Sequence, residues 1–154
     1  MNETIAKNWN SVVSPEDTVI HLGDLSCGLQ GRKDSLSELC RSLNGNIILI
    51  KGNHDHFDSS FYINECGFKA FVKYIKTERV FFSHIPVVDE YKAFDEKEAF
   101  QQYKKEWEEW KIGKQNPINI FGHVHNTHFK STQGICVSVE NTNYTPLDLS
   151  TILN

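Results

Sequence analysis

Four short stretches hold the residues able to do chemistry: Gly23-Asp24, Gly52-Asn53-His54-Asp55, Ser83-His84 and Gly122-His123-Val124-His125. Each follows an apolar run of strand length, and each offers oxygen donors or imidazoles. Neutral imidazole mixed with carboxylate and amide oxygen suits first-row divalent metals such as manganese, iron, zinc or nickel. One such strand end is an ordinary polar turn, whereas four in succession point to a shared metal site. Alternation along an extended segment turns His123 and His125 the same way, so both can reach adjacent metal positions.

The elements that must carry these groups are legible as apolar patterns. Ile47, Ile48, Leu49 and Ile50 form a run without clean alternation, as expected of a strand covered on both faces in an α/β sheet. Ligands in such sheets gather beyond the carboxyl ends of strands. Gly52 then permits a sharp turn close to whatever Asn53 and His54 hold. Residues 18–22 repeat the arrangement, a strand running straight into Gly23-Asp24.

Ile5, Trp9, Val12 and Val13 predict an amphipathic helix over 3–13, with Asn2 as a cap and Ser14-Pro15 as its stop. A loop through Gly28 and Gly31 leads to a helix over 33–43 with a Leu36, Leu39, Cys40, Leu43 stripe, ended by Asn44-Gly45. Residues 56–66 read as irregular or briefly helical. Strands follow near 68–75 and 79–82.

Residues 91–111 are highly charged, yet place Tyr91, Phe94, Phe100, Tyr103, Trp107 and Trp110 at helical spacing. They predict a long helix covering the sheet; a lid offering Trp107 or Trp110 to a base is the functional alternative. Asn116-Pro117 breaks it. A strand over 118–121, another over 135–139, a turn at Thr145-Pro146 and a last helical turn complete the chain.

At 154 residues, 39% hydrophobic and 23% charged, the chain reads as one domain over 1–154 with one site. No apolar run approaches a membrane span, and no secretory signal opens the sequence, so the cytoplasm is the expected compartment. Cys27, Cys40, Cys66 and Cys136 lack a Cys-x-x-Cys pair and read as reduced, packed thiols. A net charge of −4 disfavours long nucleic acid as a partner.

With these motifs in this order, the chain resembles the calcineurin-like metallophosphoesterases, over about residues 18–125 and again at the C-terminal strand. The resemblance implies an α/β layered fold: two mixed sheets packed face to face with helices outside, the charged helix at about 89–116 being an insertion. It implies that Asp24 bridges two metals, that Asn53, His84 and His123 hold one ion, and that His125 holds the other. His54 resembles the phosphate-contacting histidine of the family, with Asp55 orienting its imidazole.

The implied reaction is hydrolysis of a phosphate monoester or diester by a metal-activated hydroxide, with manganese the first choice of metal and iron, zinc, nickel or magnesium as alternatives. Two cations can acidify a bridging water and clamp phosphoryl oxygens, and a histidine beside them suits general-acid work near neutral pH. Ligating imidazoles must be neutral, so activity is expected to fall in mild acid as metal leaves. The expected substrate is a small phosphoester.

One departure stands beside the agreement. The family opens with Asp-x-His on a first strand upstream of Gly-Asp, and here only His21 precedes Asp24, with Val19 where the carboxylate belongs. The chain therefore reads as beginning one strand late. A start upstream of Met1, a truncated or degenerate copy, or a one-ion protein relying on Asp24, Asn53, His84 and His123 would each account for this, the first two being favoured. An unpaired sheet edge would follow, and with it a homodimer.

The alternative to an enzyme is a non-catalytic remnant that keeps the fold and acts as a binding or assembly module. A β-lactamase-type metallohydrolase is disfavoured because Asn126-Thr127 stands where an Asp-His pair belongs. His21 is expected as a packed strand residue, His56 and His128 as loop residues, and Asp58, Asp89 and Asp148 as turn or surface carboxylates.

Overall fold

The computed structural model describes residues 2–26, 32–92, 97–125 and 131–153. Gly28, Gly31, Cys27, Phe94, Asn126, Thr127 and His128 lie outside the described residues. The elements run α1 (Asn2–Val12), β1 (Thr18–His21), α2 (Lys33–Arg41), β2 (Asn46–Ile50), a π-helical turn (Phe61–Glu65), β3 (Ala70–Val72), β4 (Tyr74–Lys76), β5 (Val80–Ser83), α3 (Glu98–Lys111), β6 (Ile118–Phe121), β7 (Gly134–Cys136) and α4 (Leu149–Ile152).

Among the described residues two sheets result, one of three strands in the order β1-β2-β3 and one of four in the order β4-β5-β6-β7. The first is parallel throughout. The second is mixed, with β4 antiparallel to β5 and the remaining pairs parallel. Parallel pairing makes β1, β2, β5 and β6 finish in register, Ile20 beside Ile48 and Phe82 beside Ile120, so the loops after them open at common sheet ends.

Side-chain alternation divides the core into three layers. Between the sheets, Ile50, Val80, Phe82 and Ile120 are buried, flanked by Ile20, Leu22, Val72 and Ile135. The opposite face of β2 sends Ile47 and Leu49 against Trp9 and Val13 at α1 and Leu36 and Cys40 of α2. Both faces of β2 are thus covered, as its unbroken apolar run requires. Burying a side chain such as Leu36 or Ile50 contributes about 1.5–3 kcal/mol. On the far side, Phe81 meets Val87, Val88 and Trp107.

The segment expected as one strand over 68–75 breaks at Lys73 and serves both sheets. Phe71 stacks on Tyr62 at 4.7 Å in the helix-side layer, whereas Tyr74 stacks on Phe81 at 5.3 Å on the far face of the other sheet. One straight strand cannot satisfy both contacts. The stretch after Asp58 is helical and ends in a π turn, Cys66 N–H donating to Phe61 O at 3.0 Å.

Helix α3 begins at Glu98, later than its aromatic stripe suggests, and the last strand stops at Cys136. Trp107 is fully buried with its ring 5.8 Å from that of Phe81, so it covers the sheet and is not available to stack on a substrate. Lys76 and Glu106 pair at 2.6 Å across the same contact. Among the described residues no helix is long and apolar enough to cross a membrane.

Candidate metal centre

Two glycine turns interlock at the ends of β1 and β2. Gly23 has φ +98°, and a Cβ there would lie 2.6 Å from Gly52 N and 2.7 Å from His84 Nδ1. A Cβ on Gly52 would run into the backbone nitrogen and carboxylate of Asp24. Only glycine lets the loops approach this closely. Asp24 and His123 both take left-handed backbone angles, φ +58° and +60°. Such conformations are costly for residues with a side chain and gather at functional sites.

Asp55 ties these turns together. It is 1% exposed, and its Oδ2 accepts from Asp24 N at 2.8 Å and Gly52 N at 2.9 Å. Its Oδ1 accepts from Ser26 N at 3.1 Å and Ser26 Oγ at 3.2 Å. The carboxylate expected to orient the His54 imidazole holds the loop backbone, where three N–H donors converge on it as a buried carboxylate requires. Ser26 Oγ also lies 2.6 Å from His54 O, and the Tyr62 hydroxyl reaches Ser26 Oγ at 3.4 Å.

His84, 3% exposed, supplies the centre. Its Nδ1 is 2.7 Å from Leu22 O, a carbonyl that can only accept, so Nδ1 carries the proton and Nε2 presents a lone pair. That Nε2 lies 2.9 Å from Asn53 Oδ1, 3.1 Å from His123 Nδ1 and 3.4 Å from Asp24 Oδ2. The ligand atoms of Asp24, His84 and His123 all fall within 4.8 Å of one another. His84 Nε2, Asn53 Oδ1 and Asp24 Oδ2 meet as acceptors, which a cation between them resolves, and the mixed oxygen and imidazole donors fit a divalent first-row ion.

The electrostatics agree. Burial, reinforced by nearby His84, lowers His123 to about 4, leaving it neutral and able to ligate at ordinary pH. For Asp24, burial acts upward, but the adjacent His84 imidazole and the hydrogen bond from the His54 backbone bring the carboxyl down to about 2. His54 N–H donates to Asp24 Oδ1 at 2.8 Å, which leaves Oδ2 facing the cluster.

Of the residues singled out by sequence, Asp24, Asn53, His84 and His123 are therefore brought together. His125 stands apart: its side chain is 70% exposed and its Nδ1 lies 2.7 Å from Glu140 Oε1. His54 is exposed at the rim, its ring 6.3 Å from that of His56. His21 packs on Trp9 at 6.3 Å, and its Nδ1 accepts from Gly23 N at 3.2 Å. Burial lowers its pKa.

Sequence reasoning missed Ser26, the Leu22 carbonyl and Asn119. Asn119, fully buried, accepts from Val87 N at 3.0 Å and donates to Phe81 O and Ser83 Oγ, both at 2.9 Å. Its signal was available, a lone amide inside the apolar strand Ile118-Asn119-Ile120-Phe121. Backbone carbonyls such as that of Leu22 leave no such trace.

Comparison with known proteins gives concordant findings. A family profile described as calcineurin-like phosphoesterase matches residues 2–149. The uncharacterized protein MJ1445 of Methanocaldococcus jannaschii is 46% identical over 65 residues, a match covering 42% of this chain and 36% of that protein. The chain thus spans about a third of the length of the curated relative it matches. The crystal structure of the protein of unknown function AQ665 from Aquifex aeolicus superposes with a TM-score of 0.70 at 27% identity, covering 98% of this chain and 82% of that one.

Proposed function

The chain belongs to the calcineurin-like phosphoesterase family, and from that premise we propose that it hydrolyses a small phosphate monoester or diester with the help of a divalent ion, manganese being the first choice. The observation that carries this reading is the convergence of Asn53 Oδ1, His123 Nδ1 and Asp24 Oδ2 on the unprotonated Nε2 of His84. When bound among these donors, a divalent ion supplies Lewis-acid polarisation of a phosphoryl oxygen and acidifies water toward neutrality.

The chain's own residues do the rest. Asp24, held by its contacts to Asp55 and His54, offers one oxygen to the centre. His84 is fixed in the tautomer that ligates through Nε2. His54, which is exposed, is the residue we propose to contact the phosphoryl group and to protonate the departing oxygen. The cytoplasm suits the free thiols of Cys40, Cys66 and Cys136. The open side of β1, which pairs only with β2 among the described strands, suits association of two copies.

The test is hydrolysis of an aryl phosphodiester and an aryl phosphate with added manganese. His54→Ala should keep the metal and lose kcat, whereas Asp24→Ala should lose both. A purified chain that binds manganese but turns over neither ester supports the non-catalytic alternative.

A further inference from the structure

Strands β5 and β6 deliver His84 and His123 to the centre, and a single buried amide joins their ends on the side away from it. Asn119 lies opposite Phe81 in the register, two residues before Phe121, and its neighbours in that layer, Phe81, Val87, Val88 and Trp107, are apolar and fully buried. Packing alone calls for an apolar side chain there, because a buried amide must recover every hydrogen bond it loses to water. Asn119 does so with directed bonds. Oδ1 takes the Val87 N–H at 3.0 Å, while Nδ2 donates to Phe81 O and Ser83 Oγ, each at 2.9 Å.

The bonded atoms bracket His84. Phe81 and Ser83 precede it in β5; Val87 follows it in the loop that folds back over the sheet. Ser83 Oγ also donates to Ile85 O at 2.8 Å. On the other strand, Gly122 N–H donates to His84 O at 3.1 Å, one residue before His123. The backbone on both sides of His84 is thus fastened to β6. Its ring is fastened independently to Leu22 O at the end of β1.

We infer that Asn119 is a positioning residue for the metal centre, acting through Ser83 and the Val87 peptide to hold the His84 backbone where its imidazole meets both Leu22 O and the His123 ring. The role rests on reading Asp24, His84 and His123 as ligands. Groups that support a ligand in this way typically change metal affinity 10–100-fold when removed.

The test compares the parent with Asn119→Leu and Ser83→Ala. Manganese affinity is titrated by calorimetry, the Tm of the metal-free protein is recorded, and the tautomer of His84 is read from its ring ¹⁵N shifts without metal. A control, Leu36→Ala in the helix-side layer, lowers Tm without touching the strand ends. Manganese Kd should weaken about 10–100-fold in both variants and stay within about twofold in the control. The His84 tautomer should lose its fixed Nδ1–H form in the variants alone.

If both variants keep the parent's Kd and tautomer, Asn119 is a structural cross-link only and the inference is overturned. Ser83→Ala decides alone where Asn119→Leu does not fold. A parent that binds no manganese removes the metal reading; the tautomer comparison then still upholds or overturns the positioning of His84.

Discussion

His84 and Leu22 meet through a 2.7 Å contact between the imidazole Nδ1 and a backbone carbonyl, and this contact decides what the other ring nitrogen can do. With the proton held on Nδ1, Nε2 faces Asn53 Oδ1 and Asp24 Oδ2 as an acceptor among acceptors, with His123 Nδ1 beside it. His84→Ala removes the central donor and should lower manganese affinity by more than about 100-fold, beyond the range seen for supporting residues. Elemental analysis after manganese loading gives the check, with one ion per chain expected for the parent. Two ions per parent chain would mean that His125 belongs to a second site.

Asp55 has the opposite character, since its chemistry is inward. Removing its carboxylate leaves the amides of Asp24, Ser26 and Gly52 without their acceptor. Asp55→Ala should therefore cost about 3–5 kcal/mol, lowering Tm by about 10 °C for a chain of this size. Thermal unfolding of the metal-free protein reads this directly. An unchanged Tm together with lost activity would return Asp55 to the role of orienting His54.

The strand, glycine, ligand pattern exposed three of the four strand ends, and an apolar run into Ser83-His84 the fourth, because each part has a local cause: an apolar run for burial, a glycine for close approach, then donors. What it could not expose is how the donors divide. Asp55 and His54 are neighbours in sequence, yet one is buried in the loop network and the other is exposed, a difference set by Ser26 and Tyr62 folding in from other segments. His123 and His125 share a side in an ideal strand, but the left-handed turn at His123 ends that alternation before His125. The break at Lys73 was hidden for the same reason, since both halves are apolar and only their packing partners differ.

The three glycines of that pattern are not equivalent. Gly23 needs its positive φ, and added atoms there meet Gly52 and His84; Gly52 faces Asp24. A Cβ on Gly122 would rest 3.5 Å from Leu22 Cβ, an ordinary contact. Gly23→Ala and Gly52→Ala should each destabilise by about 2 kcal/mol or more and weaken manganese binding. Gly122→Ala should stay within about 1 kcal/mol and bind normally. Denaturant midpoints and calorimetric titration separate the cases, and equal effects at all three positions would refute this ranking.

Acid should act on the metal-free protein through His123. Its folded pKa, about 4, lies below the ordinary 6.5 because of burial and the neighbouring His84. The unfolded chain therefore binds more protons between these values, and stability falls as pH drops from 6.5 toward 4. Asp24, held near 2 against an ordinary 3.8, extends the loss below that window. Denaturant midpoints across pH 3–7 should show this slope, and His123→Gln should flatten its upper part. The same shift carries His123 as a neutral ligand further into acid than mild acidification alone suggests.

Trp107 separates a covering helix from a lid. Its ring is wholly buried, 5.8 Å from Phe81 and 5.5 Å from Trp110, and its Nε1 has no hydrogen-bond partner among the described residues. Trp107→Phe removes that unsatisfied N–H while keeping an aromatic ring in the layer, so the cost should be under about 2 kcal/mol. Trp107→Ala empties the layer and should cost about 3–5 kcal/mol. If α3 only covers the sheet, Trp107→Phe leaves the ratio of kcat/KM for small and bulky phosphodiesters unchanged. A shift in that ratio, with stability retained, would show that the helix also shapes access to the centre.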